Sequence, residues 1–249
     1  MGRLARVIAL GVAHHVTQRG NGRRFLLDGD ADRRIYLDLL QQNLRLNDVL
    51  LVGYCLMSSH VLLIVIPGNE EGLALSLKHT HGRYASYWNV VHNLSGHGWE
   101  GRYYSCPLDR PHLWAALRYT ELNPVGAKLV TDATSWPWSS AAAHCGSAQA
   151  DKFLSMELWR TGRTRAGASI WQRQRRKQSW PRSDSAHIHA VPWVRRNSST
   201  RWRKQWSGDW FLKKADVQQN LDQMQDRRIF ILTRDEVLNA NVGIRRNVL

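Results

Sequence analysis

Paired cysteines and long apolar runs are both missing from this chain. Its three cysteines, Cys55, Cys106 and Cys145, are far apart and show no CxxC spacing. This argues against a disulfide framework and a zinc knuckle, and it is typical of proteins in a reducing cytoplasm. The longest apolar stretch, LLIVIP at 62–67, is well short of the ~20 residues of a membrane span, and the N-terminus has no signal-peptide pattern. We therefore expect a soluble, cytoplasmic protein with no membrane partner.

Acidic residues are scarce, but only in one part of the chain. The formal charge is +15 over 249 residues. Residues 1–150 contain 14 Lys and Arg against 11 Asp and Glu, whereas residues 151–249 contain 21 against 9. Clustered cations bind polyanions largely by releasing counterions. Because the first 150 residues are nearly balanced, a case for nucleic-acid binding there has to rest on motifs rather than on charge.

The hydrophobic pattern predicts an α+β fold. Short apolar or β-branched runs predict strands at 12–19, 50–57, 61–66 and 101–108. Helical spacing predicts helices at 30–46, 70–91 and 111–122. The order βαββαβα is typical of a ferredoxin-like sandwich, with an antiparallel sheet, helices on one face and the other face open.

Local signals predict where two of these helices begin and end. Asp30 is the expected N-cap of the first helix. Pro111 suits the first turn of the third helix. That helix should fade before Pro124, because the residue before a proline is pushed out of the α region.

Several stretches in order resemble one protein family. They are HHVTQRGN at 14–21, YCLMSSHVLLIV at 54–65 and LWAALRYTELNPVGAKLV at 113–130, supported by GHGWEGRYYSCPLD at 96–109 and SWPWSSAAAH at 135–144. This set resembles the REP-associated tyrosine transposases, a branch of the HUH single-tyrosine transposases, where REP stands for repetitive extragenic palindrome. The resemblance covers roughly the first 145 residues and implies the ferredoxin-like fold.

The family's metal motif is incomplete here. In the family, a strand carries His, a bulky residue and His, and its period of two puts both imidazoles on one face. This chain has His60, Val61 and Leu62, so the second ligand is missing. The resemblance implies Mg²⁺ or Mn²⁺ held by His60 and by the amide of Asn123, with weakened binding. Such ions neutralise charge that develops at the scissile phosphate.

Tyr119 matches the family's nucleophile, and Asn123 follows it by four residues on the same helix face. The resemblance implies that Tyr119 and His60 are catalytic, that Tyr119 forms a 5′-phosphotyrosine, and that hairpin-bearing single-stranded DNA of the bacterial nucleoid is nicked and rejoined. With Leu62 in place of the second histidine this activity is expected to be weak or lost. The alternative is a non-catalytic relic that binds hairpin DNA or RNA. Monomer and dimer both stay open.

His15 on the first strand is a candidate substitute for the missing imidazole, if that strand neighbours the His60 strand. The alternative is a strand-end histidine that faces solvent. The distance between the imidazoles of His15 and His60 decides between these two hypotheses.

Basic and aromatic residues of the first domain are candidate DNA contacts. The polar candidates, expected to line one side, are Arg19, Asn21, Arg23, Arg24, Lys78, Arg83, Arg102 and Arg118. Trp99, Tyr103 and Tyr104 are candidates for stacking on unpaired bases. The alternative is ordinary surface charge and core aromatics.

Composition predicts two regions, a transposase-like domain at 1–148 and a basic tail at 149–249. Seven of the 12 tryptophans lie in the tail, mixed with arginine and without core periodicity. The tail is therefore either a nucleic-acid-binding arm or a segment that was never selected to fold, and we expect it to be poorly ordered.

A frameshift between Trp159 and Trp171 is one hypothesis for this tail. Tryptophan has the single codon TGG, so reading one nucleotide earlier converts every Trp into Leu, Met or Val. Residues 191–210 then permit RPLGSAEFVDALEKAMERRL, which resembles the Arg-Pro-Leu-Gly stretch and amphipathic helix of the family. The alternative is a genuine Arg/Trp-rich arm, and the nucleotide sequence of the gene decides between them.

Overall fold

The structure is a computed structural model that describes residues 6–160. The described part contains four strands, β1 (His14–Arg19), β2 (Val49–Leu56), β3 (His60–Pro67) and β4 (Tyr104–Pro107). It also contains the helices α1 (Asp30–Leu46), α2 (Gly72–Val91), α3 (Arg110–Gly126) and α4 (Ala141–His144), with short 3-10 turns at Asn21–Arg23 and Ala133–Ser135. The predicted order of elements is thus observed.

The four strands form one antiparallel sheet in the order β2-β3-β1-β4. The two strands that are neighbours in sequence, β2 and β3, form a hairpin, and β1 lies between β3 and β4. This arrangement confirms the predicted α+β, ferredoxin-like class. None of the helices between residues 6 and 160 combines the length and the hydropathy needed to cross a lipid bilayer.

Successive side chains of β3 divide between two cores, as strand geometry requires. Val61, Leu63 and Val65 belong to the core that is shared with α1 and α2. Ile64 and Ile66 belong to the core on the other face, which α3 covers. Both faces of β3 are therefore buried, which explains its continuous apolar sequence.

The second sheet face is not open, in contrast to the prediction. Leu113 and Leu117 of α3 pack there against residues of β2 and β3. Gly53 permits this approach, because a Cβ at that position would lie 2.3 Å from Leu117 Cδ1. The order of elements fixes which strands a helix connects, but it does not specify how far a later helix folds back over the sheet.

Two predictions about helix ends are wrong. The N-cap of α1 is Gly29, and Asp30 is the first helical residue, where its carboxylate accepts from Arg33 and from the indole of Trp138. Helix α3 continues through Pro124 to Gly126. Near a C-terminus a proline removes one hydrogen bond only, and the next turn is retained because Ala127 N–H donates to the carbonyl of Asn123.

Residues 149–160 pack on the first domain although they lie beyond the predicted boundary at residue 148. The Tyr54 hydroxyl donates to Asp151 at 2.9 Å, and Ser155 N–H donates to the carbonyl of Leu51 at 2.7 Å. Trp159 is buried and stacks on His144. Residues 161–249 lie outside the described part, so the division into a domain and a tail, like the frameshift hypothesis, stays a prediction.

Candidate functional site

The residues singled out by the metal motif and by the tyrosine lie on the sheet face that α3 covers. In the register, Leu62 stands opposite Thr17 of β1 and Cys55 of β2. Tyr119 of α3 packs against the cluster that Leu62 and Cys55 form. His60 precedes Leu62 by two residues and therefore shares its face. The structure thus packs Tyr119 against the Leu62 cluster, with His60 on the same strand face as Leu62; the catalytic roles of His60 and Tyr119 stay predictions.

Leu62 occupies an apolar environment. Its side chain is fully buried and clusters with Cys55 and Met57, with Tyr119 and Trp136 packed against them. Burial raises the pKa of the Cys55 thiol, so this thiol stays neutral. The family resemblance implies a cation ligand at position 62. In this chain the position holds a hydrocarbon side chain whose neighbours are sulfur atoms and aromatic rings.

The two remaining candidate ligands, His60 and Asn123, and the candidate nucleophile Tyr119 are more accessible than Leu62. His60, Tyr119 and Asn123 are each half-buried, and His60 Nδ1 lies 3.2 Å from Ser59 Oγ. Tyr119 and Asn123 are one turn apart within α3, which places them on the same helix face. The amide and one imidazole of the implied donor set are therefore present.

His15 does not replace the missing imidazole. In the register His15 stands opposite Ile64, whereas His60 stands opposite Arg19, four residues further along β1. Four strand residues span about 13 Å, which is too far for two ligands of one ion. Among residues 6–160 no three His, Cys, Asp or Glu side chains are grouped as metal ligands. The side chains present therefore do not fit the two-histidine ion site that the resemblance implies.

His15 is instead a buried neutral histidine beside the candidate nucleophile. Its ring meets that of Tyr119 edge-on, with centroids 6.2 Å apart. Its Nε2 atom is buried and has no hydrogen-bond partner among residues 6–160. Burial lowers the pKa of His15 to about 4. The imidazole is neutral at physiological pH, and the alternative of a solvent-facing histidine is also wrong.

We expect the burial of His15 to make the protein sensitive to acid. The unfolded chain binds a proton at this residue near its ordinary pKa of 6.5, and the folded chain does so only near 4. The contribution of His15 to the free energy of unfolding is therefore at its full value above pH 6.5. It falls by roughly 3 kcal/mol as the pH drops from 6.5 to 4. His15→Leu should flatten the pH dependence of the unfolding free energy over this window, as measured by urea titration.

The control for this measurement is His79→Leu, because His79 is an exposed histidine on α2. The control should leave the pH dependence as in the wild type. An equal slope for His15→Leu and wild type between pH 6.5 and 4 would contradict the prediction.

The basic candidates do not line one side of the domain. Arg19 stands opposite His60 in the strand register, and Arg118 precedes Tyr119 on α3. Lys78 and Arg83 lie on α2, which packs on the opposite sheet face, so the expectation that all eight share a side is wrong for them. The helical period placed them on the surface of α2, but it carries no information about which face of the sheet α2 covers.

The other polar candidates lie near the ends of β1 and β4. Asn21, Arg23 and Arg24 form the loop after β1, where Asn21 and Arg23 are exposed and Arg24 is half-buried. Arg102 is exposed just before β4. Contact of these residues with DNA stays a prediction.

Two of the three candidate stacking residues are already covered by the protein. Trp99 is buried in the core beneath α2, and its indole N–H donates to the carbonyl of His81 at 2.9 Å. Tyr103 is buried, and the guanidinium of Arg6 lies 3.6 Å above its ring. Tyr104 is half-buried and stands opposite Thr17, on the Tyr119 face. Trp99 and Tyr103 are therefore core aromatics, as the alternative interpretation held.

A buried polar network that the sequence interpretation missed attaches α3 to the sheet. Glu121 is fully buried and accepts hydrogen bonds from Ser140 Oγ and His144 Nδ1. Ser140 also accepts from the backbone N–H of Tyr54 in β2, and His144 stacks on Trp159 at 4.5 Å. This network lies two residues from Tyr119 and therefore supports the position of that side chain. The only sequence signal was the stretch at 135–144, noted as a resemblance without a role.

The comparisons with known proteins concern the fold. No family model and no curated protein matches this chain. A solved REP-associated tyrosine transposase, bound to a REP hairpin, is similar over 62% of this chain and 92% of its own, with a TM-score of 0.50 and 14% identity. The chain has a transposase fold. A candidate transposase from Deinococcus radiodurans R1 is similar over 48% of this chain and 95% of its own, with a TM-score of 0.34 and 16% identity.

At 14% identity, the similarity to the REP-associated transposase extends to the fold only. The residues that would perform a reaction have to be judged from their own surroundings in this chain. Leu62 in its apolar cluster, with Tyr119 against it, is the feature that bears most directly on function.

Proposed function

We propose that this chain binds single-stranded DNA that carries hairpins, and that its cleavage step at Tyr119 is disabled. The observation that carries the proposal is the complete burial of Leu62 beside Tyr119, on the same strand face as His60. The binding half of the proposal is supported by the transposase fold, since the solved neighbour holds a REP hairpin, and by the arginines at the C-terminal end of β1.

The disabled reaction is the nicking and joining that the family resemblance implies. The Tyr119 oxygen would form a bond to phosphorus, the bond from phosphorus to the 3′-oxygen would break, and the leaving 3′-oxygen would take a proton. Mg²⁺ or Mn²⁺ would neutralise charge on the phosphate, with His60 and Asn123 as the ligands still present. Because Leu62 offers no lone pair and is packed among apolar atoms, these residues do not suffice to hold the ion.

The test is a binding assay paired with a covalent-complex assay on the full-length chain. We expect fluorescence anisotropy to show binding to a REP-type DNA hairpin with single-stranded flanks and weaker binding to a duplex of equal length. We expect denaturing gels to show no covalent complex with that hairpin in Mn²⁺.

Three results would contradict the proposal. A covalent complex in the wild type that disappears in Tyr119→Phe would show an active transposase. Equal affinity for the duplex would remove the preference for hairpins and single strands. Tighter binding of an RNA of the same sequence would show that this chain binds RNA in preference to DNA.

A further inference from the structure

We propose that Phe25 is a stacking platform for an unpaired base in the single-stranded flank of the hairpin. Phe25 follows the basic residues Arg23 and Arg24 in the loop between β1 and α1. This inference rests on the proposed binding function and names the part of the DNA that the loop recognises.

The loop is held in one conformation by backbone hydrogen bonds. Gly20 N–H donates to the carbonyl of Ser59 at 2.8 Å, and Leu27 N–H donates to that of Ser58 at 3.0 Å. Both bonds attach the loop to the turn that immediately precedes His60. The loop therefore lies at the same end of the sheet as the candidate site, so one DNA strand can contact both.

Close packing within the loop makes it rigid. A Cβ on Gly20 would lie 2.3 Å from the carbonyl oxygen of Arg24, so the chain turns back on itself without room for a side chain. Gly22 and Arg23 both have positive φ, 59° and 60°. Leu26 is fully buried, and its carbonyl accepts from the Tyr84 hydroxyl. A preorganised loop of this kind loses little conformational entropy when a ligand binds.

Phe25 is presented to solvent on this rigid loop. Its side chain is 63% exposed, whereas the next two residues, Leu26 and Leu27, are fully buried. A single exposed apolar residue is ordinary at protein surfaces. Here, however, the exposed aromatic residue directly follows two arginines in a hydrogen-bonded loop. Aromatic rings that accompany basic residues are typical of surfaces that bind the bases and phosphates of single strands.

The acidic residues near the loop do not cancel this arrangement. Asp30 accepts hydrogen bonds from Arg33 and Trp138, and Asp32 accepts from the N–H of Gly29 at the start of α1. Asp28 is the other nearby carboxylate, and it is exposed. Arg24 precedes Phe25 in the chain, and its guanidinium lies 5.2 Å from the centre of the Trp88 ring. Charge complementarity therefore favours an anionic strand over an apolar protein segment.

The test measures the affinity of Phe25→Ala for a hairpin with a single-stranded flank. Loss of one stacked base should weaken binding by about 5- to 150-fold. Phe25→Trp should retain wild-type affinity. Because the wild type already contains 12 tryptophans, the readout is the additional quenching by DNA in Phe25→Trp relative to the wild type. For a hairpin with an abasic flank, Phe25→Ala and wild type should bind equally.

Salt titration separates stacking from charge. Because a phenyl ring releases no counterions, Phe25→Ala should keep the wild-type slope of log affinity against log salt, whereas Arg23→Ala should reduce that slope by about 1. Leu46→Ala is the matched control, since Leu46 is an apolar residue 71% exposed on α1, away from the loop. It should bind as the wild type does.

Different results overturn the two proposals. If the wild type fails to bind the flanked hairpin, the proposed function is wrong. If the wild type binds it and Phe25→Ala binds equally well, the stacking platform is wrong and the proposed function stands. A loss in Phe25→Ala that is the same for the abasic flank, or that Phe25→Trp also shows, would likewise overturn the platform.

Discussion

The Leu62→His variant is expected to form a covalent complex with hairpin DNA in Mn²⁺, roughly 100-fold or more faster than the wild type. The side chain at position 62 points to the α3 face and contacts the cluster that includes Tyr119. An imidazole there shares its strand face with His60 and restores a second nitrogen ligand. Lewis-acid stabilisation of a phosphoryl group contributes several kcal/mol, which corresponds to at least this factor in rate. Denaturing gels and intact mass measure the complex.

Ile64→His is the matched control for this experiment. Ile64 is also fully buried on the same face of β3, but it stands four residues from His60. A histidine there carries the same desolvation cost without completing the ion site, so no complex should form. The double variant Leu62→His with Tyr119→Phe should also form none. A folded Leu62→His protein that binds the hairpin without forming a complex would refute the role given to Leu62.

Replacing Glu121 by leucine is expected to lower the free energy of unfolding by about 3–5 kcal/mol. The carboxylate is fully buried and is the acceptor for both His144 and Ser140. Its removal takes the acceptor from the buried His144 Nδ1 and leaves Ser140 Oγ only its longer bond to the Tyr54 carbonyl at 3.4 Å. Chemical denaturation of wild type and variant measures the difference.

Two further variants make this prediction specific. Glu70→Leu is the control, because Glu70 is exposed, and it should change stability by less than about 0.5 kcal/mol. The double variant Glu121→Leu with His144→Leu should lose less than the sum of the single losses, since it removes both members of the buried pair. A Glu121→Leu variant as stable as Glu70→Leu would contradict the assigned role of the network.

The same network connects stability with the position of the candidate nucleophile. Glu121 lies two residues after Tyr119 on α3, and its partners belong to α4 and the segment before it. Loosening of this end of α3 should therefore also reduce the complex formed by Leu62→His. The stability of the fold depends on the network whether or not Tyr119 reacts, because the Glu121 carboxylate is buried in either case.

Local residue patterns predicted helix α1 at its observed bounds of 30–46, and they predicted all four strands in their correct order along the chain. The end of α3 was predicted less well, because the preference of the residue before Pro124 is a local tendency that packing of the last turn can outweigh. The boundary at 148 was predicted from composition. Composition carries no information about a tertiary hydrogen bond such as the one that Ser155 N–H donates to the carbonyl of Leu51 in β2.

The sequence by itself determined the class of fold, the shared face of His60 and Leu62, and the one-turn spacing of Tyr119 and Asn123. These follow from the periods of strands and helices, which are properties of neighbouring residues. Only the tertiary structure decided that Leu62 lies in an apolar cluster against Tyr119, that His15 is too far from His60 to replace it, and that α2 carries Lys78 and Arg83 away from the site. Strand register and helix packing bring together residues far apart in the chain, and no local period encodes that distance.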